Sequence, residues 1–169
     1  MRLMARRLVL LLALALAAGS LPSCAVRPGP YPDLQPFSAV EANLPPPAPG
    51  LARIYFYRAL SYYDLPEGTS VYLNQQTVGF SRIGTVFYRD VTPGSYFISV
   101  LSRGAYPNQF KTVQTKPGQT WYVRIESLES WSGYGGGDTD VHGATFTVNL
   151  INPAAARQEI RALSYLPPG

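Results

Sequence analysis

The chain has 169 residues with a single cysteine and a single histidine, so one copy can form neither a disulfide nor a metal site of several histidines. Its formal net charge is +4, but three of its fourteen Lys and Arg residues, Arg2, Arg6 and Arg7, lie in a segment predicted below to be removed. The remaining eleven stand against ten Asp and Glu, a balance of about +1. This balance excludes the basic footprint of a nucleic-acid-binding protein.

A short apolar run follows the N-terminal arginines. Leu8 to Ala18 is eleven apolar residues long, whereas a helix that crosses the hydrocarbon core of a bilayer needs about 20. Positive residues before an apolar run of this length are typical of a secretory signal. We therefore predict that residues 1–23 form a signal peptide.

The apolar run leads to Leu21-Pro22-Ser23-Cys24, which resembles the lipobox of bacterial lipoproteins through Leu21, Ser23 and Cys24. The resemblance implies that the Cys24 thiol receives a diacylglycerol, that the chain is cut before Cys24, and that the new amine is acylated, for example with palmitate. Ala25 follows the cysteine where an Asp would imply retention at the inner membrane. The same resemblance therefore implies an outer-membrane lipoprotein that faces the periplasm.

Two other interpretations of Cys24 stay open. An ordinary secretory signal cut near Ala18 or Ser23 would leave an unmodified cysteine, and a folded domain could bury Cys24 as a structural residue. Lipidation explains the position of the cysteine better, because no second thiol is available for a disulfide. Two or three acyl chains also anchor a protein stably, since each buried CH₂ contributes ~0.8 kcal/mol.

Residues 24–50 are rich in proline. Half of the sixteen prolines lie between Ala25 and Gly50, and proline fixes φ and lacks a backbone donor. We predict an extended tether that starts at the acylated Cys24 and holds a domain several nanometres from the membrane, at ~3.1 Å per residue. The alternative is that part of this stretch packs across the domain through Leu34, Phe37 and Val40.

From residue 51 onward, apolar residues alternate with period two, which predicts β-strands. In the first of these strands Ile54 and Phe56 point one way, while Arg53, Tyr55 and Tyr57 point the other. The same pattern predicts three inward-facing series, which are Tyr96, Ile98 and Val100, then Trp121, Val123 and Ile125, and finally Phe146, Val148 and Leu150. Pro93-Gly94 and Pro117-Gly118 each predict a type II turn with glycine at positive φ.

These patterns predict an all-β fold, an Ig-like or carbohydrate-binding-like β-sandwich of seven or eight strands over residues 51–166. Asn152-Pro153 predicts the N-terminus of a helix, with Asn152 as cap and Pro153 in the first position. The helical spacing of Ala156, Ile160 and Leu163 extends this short C-terminal helix. We expect it to cover an edge or an end of a sheet.

The strands also resemble a known family. GLARIYFYR, VYLNQQTVG, TVFYRDVTPGSYFISV and KPGQTWYVRIE, in this order, are similar to the bacterial lipoproteins of the domain of unknown function 2846 family. The resemblance covers about Leu51 to Glu126 and implies an envelope-facing lipoprotein with no established catalysis. The family often has glycine where Gln75 stands, so we expect a wider turn there.

A glycine-rich stretch over residues 131–143 contains the only candidate metal ligands. Asp138, Asp140 and His142 alternate, so they would share one face of an extended segment, and carboxylates with an imidazole can bind a cation. The alternative is a glycine-rich loop whose polar residues are solvated, and no fourth ligand accompanies the three. We therefore expect no cofactor and no metal beyond weak binding here.

Aromatic side chains are the second candidate for binding. The alternation places Tyr55, Tyr57, Tyr72 and Tyr122 on outward strand faces, and Trp131 and Tyr134 lie in the glycine-rich stretch. Exposed rings suit sugar stacking or protein contacts. The alternative is that the second sheet face or the proline-rich tether covers these tyrosines.

We expect a non-catalytic, lipid-anchored module that docks on an envelope protein, and an envelope-glycan-binding module, with peptidoglycan as the ligand, is the alternative. An enzyme is the third hypothesis, although the chain has neither a Gly-x-Ser-x-Gly elbow nor a phosphate-binding loop. An exposed apolar-aromatic patch would favour docking, and a groove of tyrosines and amides would favour glycan binding. A buried acid pair with displaced pKa values would favour catalysis.

Overall fold

The computed structural model describes residues 31–61, 68–102, 109–127 and 145–167. Within these ranges there are nine strands, two α-helices and a 3₁₀ turn over Glu41–Asn43. The helices are α1, Phe37–Val40, and α2, Pro153–Ile160. The strands are β1 Ala52–Arg58, β2 Thr69–Leu73, β3 Gln76–Ser81, β4 Thr85–Val91, β5 Gly94–Val100, β6 Phe110–Thr115, β7 Thr120–Ser127, β8 Phe146–Leu150 and β9 Ser164–Tyr165.

The strands form two sheets, which confirms the all-β sandwich with a short C-terminal helix. The described ranges contain nine strands where the sequence predicts seven or eight, and the additional one is the two-residue β9. One sheet has five strands in the order β8-β7-β1-β4-β9, and the other has four in the order β3-β2-β5-β6. β1 lies in the middle of the larger sheet, antiparallel to β4 and parallel to β7. The central strand β1 thus joins β4 on one side to β7 and β8 on the other.

The predicted alternation builds the core between the sheets. Ile54, Phe56 and Val123 from the five-stranded sheet pack against Val71 and Ile98 from the four-stranded sheet, and all five are fully buried. Each such side chain contributes ~1.5–3 kcal/mol relative to the exposed state. The first core is therefore the one that the period-two pattern predicts, except at Leu150. This residue was predicted to face inward but ends β8 with 37% of its surface exposed.

The two Pro-Gly pairs adopt different conformations. Gly118 has φ 72° and the Gln119 N–H donates to the Lys116 carbonyl oxygen at 3.1 Å, which confirms the type II turn. The prediction was wrong at Pro93-Gly94, because Gly94 is extended with φ 158° and already belongs to β5. Its N–H donates to Thr115 Oγ1 at 3.0 Å, since pairing with β6 begins at this residue.

The connection between β2 and β3 is tighter than expected. Asn74 and Gln75 have φ 48° and 69°, the left-handed values of a two-residue hairpin turn of type I′. The wider turn predicted from the absence of glycine was wrong. Asn74 tolerates this region, and its side-chain Oδ1 accepts a hydrogen bond from the Phe97 N–H at 2.8 Å. Gln75 adopts the same region although it has a Cβ.

Part of the predicted tether packs on the domain. The Phe37 N–H donates to the Leu163 carbonyl oxygen at 2.7 Å, and the Tyr165 N–H donates to the Gln35 carbonyl oxygen at 2.8 Å. Phe37 is 1% exposed, and its ring meets Tyr55 edge-on at 5.7 Å between centroids. The extended-tether prediction was wrong for residues 35–44, because burying Phe37 and Val40 outweighs the proline-rich composition. The alternative, in which this stretch packs across the domain, describes it.

Helix α2 begins as predicted but covers a different surface. Asn152 Oδ1 accepts a hydrogen bond from the Ala154 N–H at 2.9 Å, and Pro153 is the first helical residue. The helix buries Ala156 and Ile160 against the tyrosine face of the five-stranded sheet. We had expected it over an edge or an end of a sheet. The edge beside β4 is closed by the two-residue strand β9 instead.

Within the described ranges, no helix combines the length and the apolarity needed to cross a bilayer.

Replacing Gln75 with glycine is expected to stabilise the domain by about 0.5–1 kcal/mol, because the turn requires positive φ and glycine lacks the Cβ that disfavours it. Urea unfolding of both chains measures the difference. Gly118→Ala is the control in the opposite direction, with an expected loss of about 1 kcal/mol. A destabilised Gln75→Gly variant would contradict the type I′ assignment.

Phe37→Ala is expected to lower the free energy of unfolding by about 3 kcal/mol, because it empties a buried site between α1 and Tyr55. Urea or thermal unfolding measures the loss. Pro46→Ala, in the exposed part of the same proline-rich stretch, is the matched control and should change stability by less than about 0.5 kcal/mol. Equal stabilities of the two variants would mean that residues 35–44 are a free tether.

Candidate binding surface on the four-stranded sheet

Three of the tyrosines predicted to bind a ligand are covered. Tyr57 is fully buried, Tyr122 is 5% exposed and Tyr55 is 9% exposed. The alternation placed them correctly on the face of the five-stranded sheet that points away from the first core. That face is covered by α1 and α2, so the prediction that these tyrosines are open to a ligand was wrong. The alternative is correct for α1, which comes from the proline-rich stretch, and wrong for the second sheet, whose place is taken by α2.

The covered tyrosines and the helices form a second core, in which the hydroxyls of Tyr57 and Tyr122 are hydrogen-bonded. The rings of Tyr55 and Tyr122 stack at 5.2 Å between centroids. The Tyr57 hydroxyl donates to Glu159 at 2.7 Å, and the Tyr122 hydroxyl accepts from Arg157 Nε at 3.2 Å. These contacts hold α2 on the sheet, so this face supports stability.

An ion pair between the buried Arg53 and the more exposed Asp90 lies beside the second core. Arg53 binds both carboxylate oxygens of Asp90, at 2.7 and 2.8 Å, and its guanidinium carbon lies 3.8 Å from the centre of the Tyr88 ring. The hydrogen bonds that Arg53 donates to Asp90 raise the pKa of Arg53. Because both carboxylate oxygens are engaged and the arginine is held charged, this pair is suited to fixing β1 against β4.

Three tyrosines of the second core have raised pKa values. Burial raises the pKa of Tyr55 and of Tyr57, with the hydrogen bond to Glu159 adding to the effect at Tyr57. Burial also raises the pKa of Tyr165 to about 12. These hydroxyls therefore stay protonated at neutral pH and act as hydrogen-bonding groups, without supplying a phenolate.

Among the predicted tyrosines that the structure describes, Tyr72 is the one on an uncovered strand face. It is half-buried on the outer side of the four-stranded sheet, opposite Ser99, which in turn pairs with Phe110. Phe110 is 55% exposed and lies 4.9 Å from Phe97 between ring centroids. We call the surface formed by Tyr72, Phe97 and Phe110 the outer aromatic face.

The outer aromatic face is surrounded by neutral polar residues. Phe97 pairs with Thr112, and its backbone N–H and carbonyl oxygen both bond to Asn74. Ser95 and Gln114 are paired and exposed in the next position along these strands. Exposed aromatic rings with few charges around them are the composition found at the centre of protein–protein interfaces.

Sequence reasoning could have found the outer aromatic face but considered only tyrosine and tryptophan. The alternation that places Ile98 inward also places Phe97 outward, and the same pattern on β6 turns Phe110 outward. The exposed aromatic surface thus lies on the four-stranded sheet, whereas Tyr55, Tyr57 and Tyr122, which were predicted to form it, lie on the five-stranded sheet.

Several predicted site residues lie outside the described residues. They are Leu21, Ser23 and Cys24 of the lipobox, Trp131 and Tyr134, and the candidate metal ligands Asp138, Asp140 and His142. Lipidation, a role of the tryptophan stretch in binding, and weak metal binding stay predictions.

Stability is expected to fall as pH rises above about 10, the pKa of tyrosine in an unfolded chain. Between pH 10 and 12 the unfolded chain loses phenolic protons that the folded chain retains, so each such tyrosine lowers stability by up to about 1.4 kcal/mol per pH unit. Below pH 10 the contribution is complete. Urea unfolding between pH 8 and 11.5 measures the slope, and Tyr57→Phe should make it shallower. An unchanged slope in this variant would contradict the raised pKa of Tyr57.

Comparison with known proteins places the chain in a family but identifies no characterised relative. A family model described as a protein of unknown function, DUF2846, matches residues 48–137. This range includes β1 to β7 and therefore the whole four-stranded sheet with its outer aromatic face. No curated protein matches the chain. Because the family model spans more than half of the 169 residues, the chain belongs to the DUF2846 family.

Proposed function

We propose that this protein is a non-catalytic, lipid-anchored module of the cell envelope that docks on an envelope protein through the outer aromatic face. The observation that carries the proposal is the contrast between the two sheet faces. Tyr55, Tyr57 and Tyr122 of the five-stranded sheet are buried, and the hydroxyls of Tyr57 and Tyr122 are hydrogen-bonded. In contrast, Phe97 and Phe110 of the four-stranded sheet are in contact with each other and exposed. A soluble domain gains nothing in stability from rings left in water, and exposed apolar patches commonly mark interaction sites.

The chemistry around the rings favours a protein partner. Ser99, Thr112 and Gln114 offer hydroxyl and amide groups at the rim of an apolar centre, which matches the core-and-rim composition of interfaces. A protein surface with a complementary apolar patch would remove both rings from water. In typical interfaces a few such aromatic residues contribute most of the binding energy.

The anchor in this proposal is Cys24, acylated after removal of residues 1–23. Its support is the resemblance of Leu21-Pro22-Ser23-Cys24 to the lipobox after a short apolar run. The absence of Asp after the cysteine favours the outer membrane, and the domain would face the periplasm.

Envelope glycan is the second candidate partner, and Tyr72 is the observation that favours it. Its ring lies on the outer aromatic face in the row that contains the Ser99 hydroxyl, and a ring beside hydroxyl groups suits stacking on a sugar. Sedimentation with purified sacculi distinguishes this candidate. If Tyr72→Ala lowers the fraction of protein bound to the sacculi, glycan binding replaces protein docking as the proposed function.

Site-specific photocrosslinking in living cells tests docking. With benzoylphenylalanine in place of the exposed Thr112, which pairs with Phe97, we expect a discrete adduct with one envelope protein. Changing Phe97 and Phe110 to serine should reduce its yield about tenfold or more, because both lie at the centre of the interface. Both side chains are exposed, so the variant should keep its fold.

Ala155 provides the matched control, because it is exposed on α2 on the opposite side of the sandwich. The probe at this position should not form the adduct. Equal yields from the two positions, an unchanged yield after the serine substitutions, or an adduct of only two copies of this chain would each contradict docking through the outer aromatic face.

A further inference from the structure

One end of the sandwich carries exposed apolar side chains that the proposed docking does not use. β1 and β5 finish at this end, which we call the anchor pole, and Leu60 and Leu101 follow them there. These side chains are 56% and 60% exposed. Phe80 is 48% exposed and lies in the same cross-strand row as Leu101, because Ser70 pairs with Phe80 and accepts a hydrogen bond from the Leu101 N–H.

The N-terminal segment reaches the same end. Residues 82–84 connect β3 to β4 at the anchor pole, and the exposed Arg82 extends from this connection. Its guanidinium carbon lies 5.8 Å from the centre of the Phe80 ring and 6.0 Å from that of Tyr31. Tyr31, the first described residue, therefore lies next to the anchor pole.

The docked N-terminal segment leaves a short connection to Cys24. A free stretch from Cys24 to Gly50 would span about 80 Å. Because residues 35–44 are bound to the domain and Tyr31 lies beside the anchor pole, the reach of Cys24 is limited. The seven residue steps from Cys24 to Tyr31 span at most about 25 Å in any conformation. The anchor pole is thus the end of the domain closest to any acyl chains on Cys24.

We propose that the anchor pole rests on the membrane leaflet that holds these acyl chains. Leu60, Phe80 and Leu101 enter the interfacial region, and Arg82 lies at the level of anionic headgroups. The inference depends on the proposed function in one respect, the acylation of Cys24. It goes further in assigning a second membrane contact made by the folded domain itself.

The chemistry of the pole suits a lipid surface. Exposed leucine and phenylalanine side chains lose contact with water when they enter the interface, to a depth of about 5–10 Å, and an arginine beside them gains from anionic lipid. Phe80 packs one side of its ring over Gly68, where a Cβ would collide with it, so the other side is presented outward.

This placement orients the rest of the module. Phe110 begins β6 at the anchor-pole end of the four-stranded sheet, and Phe97 lies next to it. The outer aromatic face therefore rises from the bilayer surface. A partner that covers it must present its own apolar patch close to the membrane.

Fluorescence quenching by lipid tests the inference on the acylated chain. Acylated Cys24 has no free thiol, so a polarity-sensitive thiol probe reports only on a cysteine introduced at Leu60, Leu101 or Leu150. The protein is reconstituted in vesicles of phosphatidylethanolamine and phosphatidylglycerol that contain lipid with a shallow spin label. Leu150 is the control, because it ends β8 away from the anchor pole, in the row of Val123 and Phe56 in the middle of the five-stranded sheet. β8 begins at the anchor pole, where the Phe146 N–H donates to Ser102 Oγ at 3.0 Å.

We expect quenching at positions 60 and 101 to exceed that at position 150 by about twofold or more. Mass spectrometry establishes whether Cys24 is acylated. If it is, equal quenching at the three positions would overturn the membrane contact and leave the anchor intact. A probe shielded from water yet not quenched by the labelled lipid would indicate a protein in place of lipid and would also overturn it. An unmodified Cys24 would overturn both the anchor and this inference.

Flotation of the unacylated Cys24→Ser chain with the same vesicles isolates the contribution of the pole. Leu60→Ser and Leu101→Ser should each weaken binding about fivefold, and Arg82→Gln should do so by a similar factor only when phosphatidylglycerol is present. Leu150→Ser is the control and should have no effect. Vesicle binding that is unchanged by Leu60→Ser and Leu101→Ser would overturn the inference. A failure to detect a docking partner in the crosslinking experiment would not overturn it.

Discussion

The pairing of Gln35–Ser38 with Arg161–Tyr165 is the constraint on which the rest of the structure depends. It joins two stretches that are far apart in sequence through backbone hydrogen bonds, and it places the Phe37 side chain on Tyr55. Without it, the tyrosine face of the five-stranded sheet would lose the cover that Phe37 and α1 provide. The chain would then leave the domain at residue 51 instead of at Tyr31. The same contact therefore completes the second core and fixes where the N-terminal connection begins.

The sandwich uses aromatic residues for two different purposes. In the second core the rings of Tyr55 and Tyr122 stack, and the hydroxyls of Tyr57 and Tyr122 bond to α2, so the energy of these groups is spent within the domain. On the four-stranded sheet Phe97 and Phe110 contact each other and water. Our proposal assigns recognition to this second set because its apolar surface is still available for burial.

The docked N-terminal segment also connects the two proposals. A long tether would allow the domain any orientation above a membrane, and a short connection near Tyr31 restricts it. The exposed apolar side chains of the anchor pole then face the leaflet, and the outer aromatic face stands beside it. In this account the acyl chains hold the module at the membrane, and Leu60, Phe80 and Leu101 orient it. Phe97 and Phe110 bind the partner.

The strands and the first core could be predicted because they follow from local information. Period-two alternation places Ile54 and Phe56 on one face and Tyr55 and Tyr57 on the other, and the structure confirms both sets. Whether an outward face is covered could not be predicted, because the cover depends on pairing between residues 35–38 and 161–165, which have no alternation of their own. The prediction of a wide β2–β3 turn was wrong for a different reason. Gln75 has no local preference for positive φ, and the pairing of β2 with β3 imposes it.

Hydrogen exchange at single backbone amides tests the docked N-terminal segment most directly. The account predicts that the Phe37 and Ser38 amides, which donate to the Leu163 and Arg161 carbonyl oxygens, exchange at least about 10³-fold more slowly than in an unstructured peptide. The Tyr165 amide should be protected to a similar degree. Exchange of Phe37 and Ser38 at the unstructured rate, with the amide of Phe56 in β1 still protected, would contradict the account.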